Sequence, residues 1–338
     1  MYKIYIIEKH DHQGITMKIQ DVFQNYADDM NAIEDLIETH RHSYAHLIPE
    51  ITDHVIKSGG KRLRPLLLII SSDLCGYRGA RRFPLGSVIE YIHTASLLHD
   101  DVIDHATVRR GKPSANSIWG NSVSVLVGDY LYATSFNVLA EDGDQSVQKL
   151  LATTTASMAE GEIIQLAKCG DINITERDYF SIIEKKTAIL ISSACAIGAI
   201  LAKVPESEVK ALARFGMRLG TAFQLTDDTL DYVASENELG KTIGMDIKEG
   251  RITLPLIRTF KECDPDEKKV IERAVENTGE DHIEEITFLI NKYDGIQYSL
   301  DKADSLIREG KAFLEIFRDS TPREALFAIS DYVVARRS

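Results

Sequence analysis

The chain has 338 residues, 39 of them Lys or Arg and 52 Asp or Glu, for a formal net charge of −13, and 44% are hydrophobic. This is a globular composition, long enough to bury roughly three quarters of the unfolded surface in a core that needs no staples. The acidic balance argues against nucleic acid as a partner, since nucleic acids are held mainly by Lys and Arg neutralising phosphates, so any phosphate site must be local.

Residues 1–16 read as a detached extension in which Tyr2–Ile7 is the one strand-like stretch; the amphipathic pattern begins at about Met17, and 17–338 reads as a single all-α domain. Apolar residues then recur at helical spacing, as in Met30, Ile33, Leu36, Ile37 and Tyr44, Leu47, Ile48, Ile51, Val55. Gly and Pro fall mainly between the periodic segments, which predicts about a dozen helices. Thr175-Glu-Arg-Asp178 and Thr321-Pro-Arg-Glu324 read as capped helix starts. Thr187–Ala202 carries no charge but is flanked by Lys185–Lys186 and Lys203. It falls short of the ~18–20 residues that span a bilayer and is expected to be a buried helix. No transmembrane segment and no leader of secretory type is expected. Cys75, Cys169, Cys195 and Cys263 form no Cys-x-x-Cys pair and read as free thiols of a reducing cytoplasm.

One internal echo organises the chemistry. Leu98-His-Asp-Asp-Val-Ile-Asp104 and Leu225-Thr-Asp-Asp-Thr-Leu-Asp231 each close an apolar helical run with carboxylates at i, i+1 and i+4. At ~100° per residue Asp100 lies one turn from Asp104 and Asp227 one turn from Asp231, with Asp101 and Asp228 beside them. Like charges stacked in this way destabilise a helix unless something positive sits between them. Hard oxygen ligands suit Mg²⁺, which takes one or two carboxylates per ion and completes its shell with water and phosphate oxygens. One such run in an acidic chain reads equally as a solvated face, but two copies on apolar helices favour a metal site.

The basic residues cluster beside loops that a phosphate site needs. Lys61, Arg62 and Arg64 follow Gly59–Gly60, and Arg109, Arg110 and Lys112 follow the first carboxylate run. A glycine pair lets backbone approach an anion, and arginine forks grip phosphate oxygens; either cluster alone is more simply a solvated charge run. His93 lies two turns before Asp100, ~20° round the same face, within reach of a second phosphate group. Lys186 opens the apolar helix. Lys241 sits in Gly-Lys-Thr-Ile-Gly, which lacks the first glycine and the preceding strand of a nucleotide-binding loop. Gln224, three residues before Asp227, is expected to present its amide to the metal side, and Phe223 its ring to the same cavity.

Together these residues resemble the trans-isoprenyl diphosphate synthases, or polyprenyl synthetases. The resemblance rests on Gly-Gly-Lys-Arg-Leu-Arg-Pro at 59–65, both Asp-Asp-x-x-Asp runs, Arg-Arg-Gly-Lys-Pro at 109–113, Gly-Asp-Tyr-Leu at 128–131, Lys186-Thr187 and Phe-Gln-Leu-Thr-Asp-Asp at 223–228. It implies an all-α bundle around a deep central cavity, a homodimer, and Mg²⁺, three ions bound with the allylic diphosphate. It further implies that Lys61, Arg64, His93 and Arg110 hold isopentenyl diphosphate, and that Arg109, Lys186 and Lys241 hold the allylic diphosphate. Asp100, Asp104 and Asp227 would carry most of the metal ligation, with Asp101, Asp228 and Asp231 in support, while Thr187 and Gln224 turn oxygen dipoles to an allylic cation.

In this family the fifth and fourth residues before the first acidic run border the growing tail, and here they are the small Ala95 and Ser96. Helical geometry favours Ser96 over Ala95, which rests on the resemblance. The runs 93–104 and 161–166 look most like long-chain, octaprenyl-type members that make quinone side chains. The expected activity is therefore elongation to a long all-trans polyprenyl diphosphate; peripheral membrane contact for product release stays open, with no amphipathic basic helix standing out to mark it. The alternatives are a farnesyl or geranylgeranyl synthase, a terpene cyclase, against which the second phosphate site argues, and a non-catalytic partner subunit, against which both acidic runs argue.

Overall fold

The computed structural model describes residues 17–39, 44–233, 244–277 and 283–335; residues 1–16 and Lys241 lie outside them. In chain order the helices are Ile19–Asn25 (α1), Ala27–Thr39 (α2), Leu47–Lys57 (α3), Leu63–Leu74 (α4), Arg82–Ile103 (α5), Ala115–Trp119 (α6), Asn121–Asp142 (α7), Gln145–Ala167 (α8), Glu176–Ile183 (α9), Ile189–Ala202 (α10) and Glu206–Leu230 (α11). After them come Met245–Lys248 (α12), Leu254–Glu262 (α13), Pro265–Asn277 (α14), Ile283–Lys292 (α15), Gly295–Phe313 (α16) and Thr321–Ala335 (α17). The all-α expectation holds, with more breaks than the periodicity predicts: Tyr26 separates α1 from α2, and Gly120 separates α6 from α7.

The most apolar helices lie at the centre. On α4, Leu66–Ile70 are buried in unbroken succession, and α10 is buried on nearly every side, as its uncharged sequence predicts. These two pack together, α11 lies along α10 and α16, and α5 runs along α7. Backbone approach at the α4–α10 crossing needs Gly198, where an added Cβ would stand 2.5 Å from Ser72 N. A second, smaller apolar cluster around Leu256, Ile271, Ile286 and Ile290 adjoins the main core through Ile257.

Helix starts follow the local chemistry. Thr175 Oγ1 accepts the Asp178 N–H at 3.2 Å while Asp178 Oδ2 accepts the Thr175 N–H at 3.1 Å, a reciprocal capping box. At the other predicted start the helix already includes Thr321, and the Ser320 carbonyl accepts the Glu324 N–H at 3.0 Å, so Ser320 takes the place expected of Thr321. The one sheet among the described residues is a two-residue hairpin, Val108–Arg109 (β1) with Lys112–Pro113 (β2). Its turn puts Arg110 at φ 52° and Gly111 at φ 75°, the left-handed pair of a tight hairpin, and strands this short leave no periodic trace in sequence.

Candidate active site

The first acidic run ends α5. Side chains of Asp100 and Asp104 are 19% and 18% exposed, whereas Asp101 is 1% exposed and turned away from them. Asp101 Oδ1 accepts Arg109 Nε at 2.6 Å, and its carbonyl accepts Asn116 Nδ2 at 3.0 Å. Asp101 thus clamps the hairpin carrying Arg109 and Arg110 to the end of α5, a role different from the metal ligation expected of it.

The second run ends α11, with Asp227 half-buried and Asp231 capping the helix. Asp228 is buried, and both its oxygens are engaged: Tyr179 donates to Oδ2 at 2.6 Å and Gln224 Nε2 donates to Oδ1 at 2.7 Å. Among the residues expected to hold metal, Asp228 is the one whose carboxylate is turned inward to orient Gln224. The Gln224 amide oxygen in turn accepts the Thr187 hydroxyl at 2.9 Å, which links the two residues expected to face the cation and leaves that oxygen a second lone pair. With its proton committed there, Thr187 keeps oxygen lone pairs to present elsewhere.

Thr187 and Lys186 sit in a wide π-helical turn, Glu184–Ala188, between α9 and α10. Such turns carry an extra residue and re-aim side chains, often at functional sites. Two glycines admit it: a Cβ on Gly161 of α8 would stand 2.8 Å from Lys186 N, and one on Gly220 of α11 would stand 2.6 Å from Ala188 Cα. Lys186 Nζ reaches Asp100 Oδ2 at 4.0 Å and pairs closely with Glu162 Oε2.

The carboxylates crowd one another. Burial pushes Asp100 up to about 6, with Glu162 and Asp104 adding to the rise and Lys186 opposing it. Burial likewise raises Asp228, and Asp246 on α12 is raised by burial and then by Asp228 and Asp231, against Arg251. Asp246 joins the second run by donating its N–H to Asp231 Oδ2 at 3.0 Å. The donor set is all oxygen, and Glu162 Oε1 is buried with no hydrogen-bond partner among the described residues. This fits a hard divalent cation. Among the described residues no three acidic, His or Cys side chains close into a ready cage.

Beside the acidic runs lies a cationic group. Arg64 Nη1 stands 3.1 Å from His93 Nε2; since guanidinium only donates, the imidazole accepts and carries its proton on Nδ1. Burial holds His93 well below its ordinary value, with Arg64, Arg110 and Arg109 adding, so it is neutral. Burial also lowers Arg64, with Arg110 adding, while Glu90 and Asp227 oppose; among the described residues Arg64 Nε is buried with no hydrogen-bond partner. Arg110 is lowered by burial and then by Arg109, and a Cβ on Gly60 would stand 2.9 Å from its Nη1. Converging guanidiniums with open donors suit an anion.

Arg62 does other work, since Nη1 meets Glu90 at 2.6 Å and Nη2 the Ile56 carbonyl at 2.8 Å, tying α3, α4 and α5 together. Exposed Lys61 places its ammonium 4.3 Å from the Tyr332 ring. On α5, Ala95 is buried, and half-buried Ser96 donates to the His93 carbonyl at 2.8 Å. Sequence reasoning missed Glu162, Tyr179, Asp246 and Arg251: Glu162 lies in the run 161–166 that the resemblance included, but without a role, and the other three stand in no run that was singled out.

A family model, polyprenyl synthetase, matches residues 45–293. The chain is 35% identical over 321 residues to the octaprenyl diphosphate synthase of Escherichia coli, covering 95% of this chain and 99% of that one. It is 33% identical over 327 residues to a geranylgeranyl diphosphate synthase of Sulfolobus acidocaldarius, covering 93% and 99%. A crystal structure of a polyprenyl synthase from Caulobacter crescentus, complexed with calcium and isoprenyl diphosphate, superposes with TM-score 0.91 at 37% identity, covering 96% of this chain and 100% of that one. With both acidic runs, the cationic group and the helical bundle in place, the chain belongs to the polyprenyl synthetase family and is a trans-prenyltransferase.

Proposed function

We propose that this enzyme condenses isopentenyl diphosphate with an allylic diphosphate, using Mg²⁺, to build a long-chain all-trans polyprenyl diphosphate of octaprenyl type, and that it works as a homodimer in the cytoplasm. The observation that carries this reading is that each acidic run has its own cation, Lys186 4.0 Å from Asp100 and Arg64, with Arg110 and neutral His93 beside it, within electrostatic reach of Asp227.

Two cationic groups fit two diphosphates. Asp100, Asp104 and Asp227 would hold the metal, which supplies positive charge against the oxygens of the leaving diphosphate. Lys186 adds charge on that side. The allylic C–O bond breaks with its electron pair leaving on diphosphate, and the π pair of isopentenyl diphosphate forms the new C–C bond. A proton is then lost from the adjacent carbon to the released diphosphate. Thr187, its hydrogen held by Gln224, turns an oxygen lone pair toward the developing cation without offering it a proton. Neutral His93 and the arginines fix the acceptor diphosphate.

Long product is supported by the small Ala95 and Ser96 one turn and more ahead of Asp100, and by the octaprenyl relative. A homodimer is supported by an apolar face on α7 and α8, where Leu126 and Ile163 are each 66% exposed. The test is incubation of the pure protein with labelled isopentenyl diphosphate, farnesyl diphosphate and Mg²⁺, followed by chain-length analysis after dephosphorylation. Octaprenyl or neighbouring long products are expected. Farnesyl or geranylgeranyl products alone overturn the chain length, and no incorporation with any primer overturns the activity.

A further inference from the structure

The strongest unassigned feature is Arg251, between α12 and α13. Its N–H closes on the Asp246 carbonyl at 2.7 Å, and the preceding Gly250 has φ 70°, so the side chain is delivered by a tight turn. The guanidinium meets three carboxylates: Nη1 reaches Asp104 Oδ2 at 3.1 Å, Nε reaches Asp246 Oδ1 at 3.1 Å, and Nη2 pairs with Glu249. Asp246 in turn donates its backbone N–H to Asp231. One cation thus joins the outermost carboxylate of the first run to the loop that grips the outermost carboxylate of the second.

We propose that Arg251 is the resident counter-ion of the acidic cleft: in the substrate-free enzyme it occupies Asp104 and opposes entry of a divalent cation on its own. The inference rests on the reading of these carboxylates as metal ligands. A cation approaching Asp104 must displace the guanidinium contact or share the carboxylate with it, and it enters a region where a positive charge already stands. Lys186 does not act in the same way, because it stands 4.0 Å from Asp100 and is paired with Glu162. The side chain of Arg251 is 25% exposed, so its charge is only partly screened by water. The arrangement offsets the stacked like charges of the two acidic runs and makes metal uptake depend on what arrives with the ion.

The test is direct Mn²⁺ binding to the full chain with no diphosphate present, followed by electron paramagnetic resonance of the free ion, for wild type and Arg251→Gln. Removing one competing charge at this distance is expected to tighten Mn²⁺ binding by about tenfold. Unchanged or weaker binding in a folded Arg251→Gln protein overturns the proposal. If that variant does not fold, Arg251→Lys retains the charge but loses the fork that reaches several carboxylates. A smaller tightening is then expected, and equality with wild type overturns the proposal. Failure of wild type to make any prenyl product is a separate outcome that strikes the enzymatic reading, not the counter-ion.

Discussion

Asp100 shows how function and stability pull apart at a single residue. Its ordinary carboxylate value of 3.8 is pushed up to about 6 by burial and by Glu162 and Asp104. Below 3.8 the group is protonated both folded and unfolded, and it contributes nothing. As pH rises, the unfolded chain ionises first, so the folded state loses stability, and above about 6 the whole penalty is present. Asp100→Asn is therefore expected to match wild type in metal-free thermal melts near pH 3, below the unfolded value, and to exceed it at pH 8 by about 2–3 kcal/mol, while losing turnover. A variant less stable at pH 8 contradicts the assignment. Tyr179→Phe is expected to cost about 1–3 kcal/mol by leaving Asp228 Oδ2 without its donor in a buried place. It should also lower kcat through Gln224 and Thr187, with little change in KM for isopentenyl diphosphate, because Arg64 and His93 are untouched. A lowered melting temperature with full kcat makes Tyr179 purely structural. The two acidic runs and the clusters of Arg64, Arg109 and Arg110 were legible in the sequence because their chemistry is local. Tyr179 and Arg251 were not, since the partners Asp228 and Asp104 lie 49 and 147 residues away along the chain.

Among the elements, the π-helical turn matters most. Helical periodicity predicts the buried run that follows Lys186, and α10 bears this out, but a turn one residue wider leaves the apolar pattern almost unaltered and so passes unnoticed. The same holds for the hairpin of Arg109 and Arg110, which is too short for an alternating pattern. What sequence does contain is the glycines, and their meaning emerges only when the neighbours are known. Gly161→Ala places a methyl 2.8 Å from Lys186 N and 2.9 Å from Lys185 Cβ, so α8 and the turn must move apart. The expected cost is about 1–3 kcal/mol of stability, the usual range for overpacking, with a shift of Lys186 relative to Asp100 that lowers kcat. Melting temperature and steady-state kinetics of Gly161→Ala check both effects, and wild-type kinetics would show that the turn tolerates displacement.

On the scale of the whole molecule, the all-α bundle was legible because apolar spacing repeats along so much of the chain, whereas what covers its outer faces was not. Two helical stretches, Asn121–Asp142 and Glu176–Ala202, are long and apolar enough to cross a membrane by length and composition, a result the sequence reading did not expect. Glu176–Ala202 is largely enclosed by the bundle, and α10 within it is core. Asn121–Asp142 is apolar on two sides: Val127, Leu131 and Val138 are buried within the bundle, where α7 packs along α5, while Leu126 and Phe136 face outward, and Ile163 and Leu166 are exposed on the neighbouring α8. A bilayer is a poor partner for that face, because Asp129, 62% exposed, stands midway along it, and an Asp at the centre of a spanning helix costs about 2.5–3.5 kcal/mol. A second copy of the chain can cover the apolar residues and leave Asp129 its contact with His99 at 3.4 Å. Light scattering coupled to size exclusion is therefore expected to give twice the 37.8 kDa chain mass, and Leu126→Glu combined with Ile163→Glu is expected to give the single chain. If the double variant keeps the wild-type mass, the dimer interface lies elsewhere. If wild type itself runs at the mass of one chain, the apolar face of α7 and α8 serves some other surface, and the active site must be complete within one subunit.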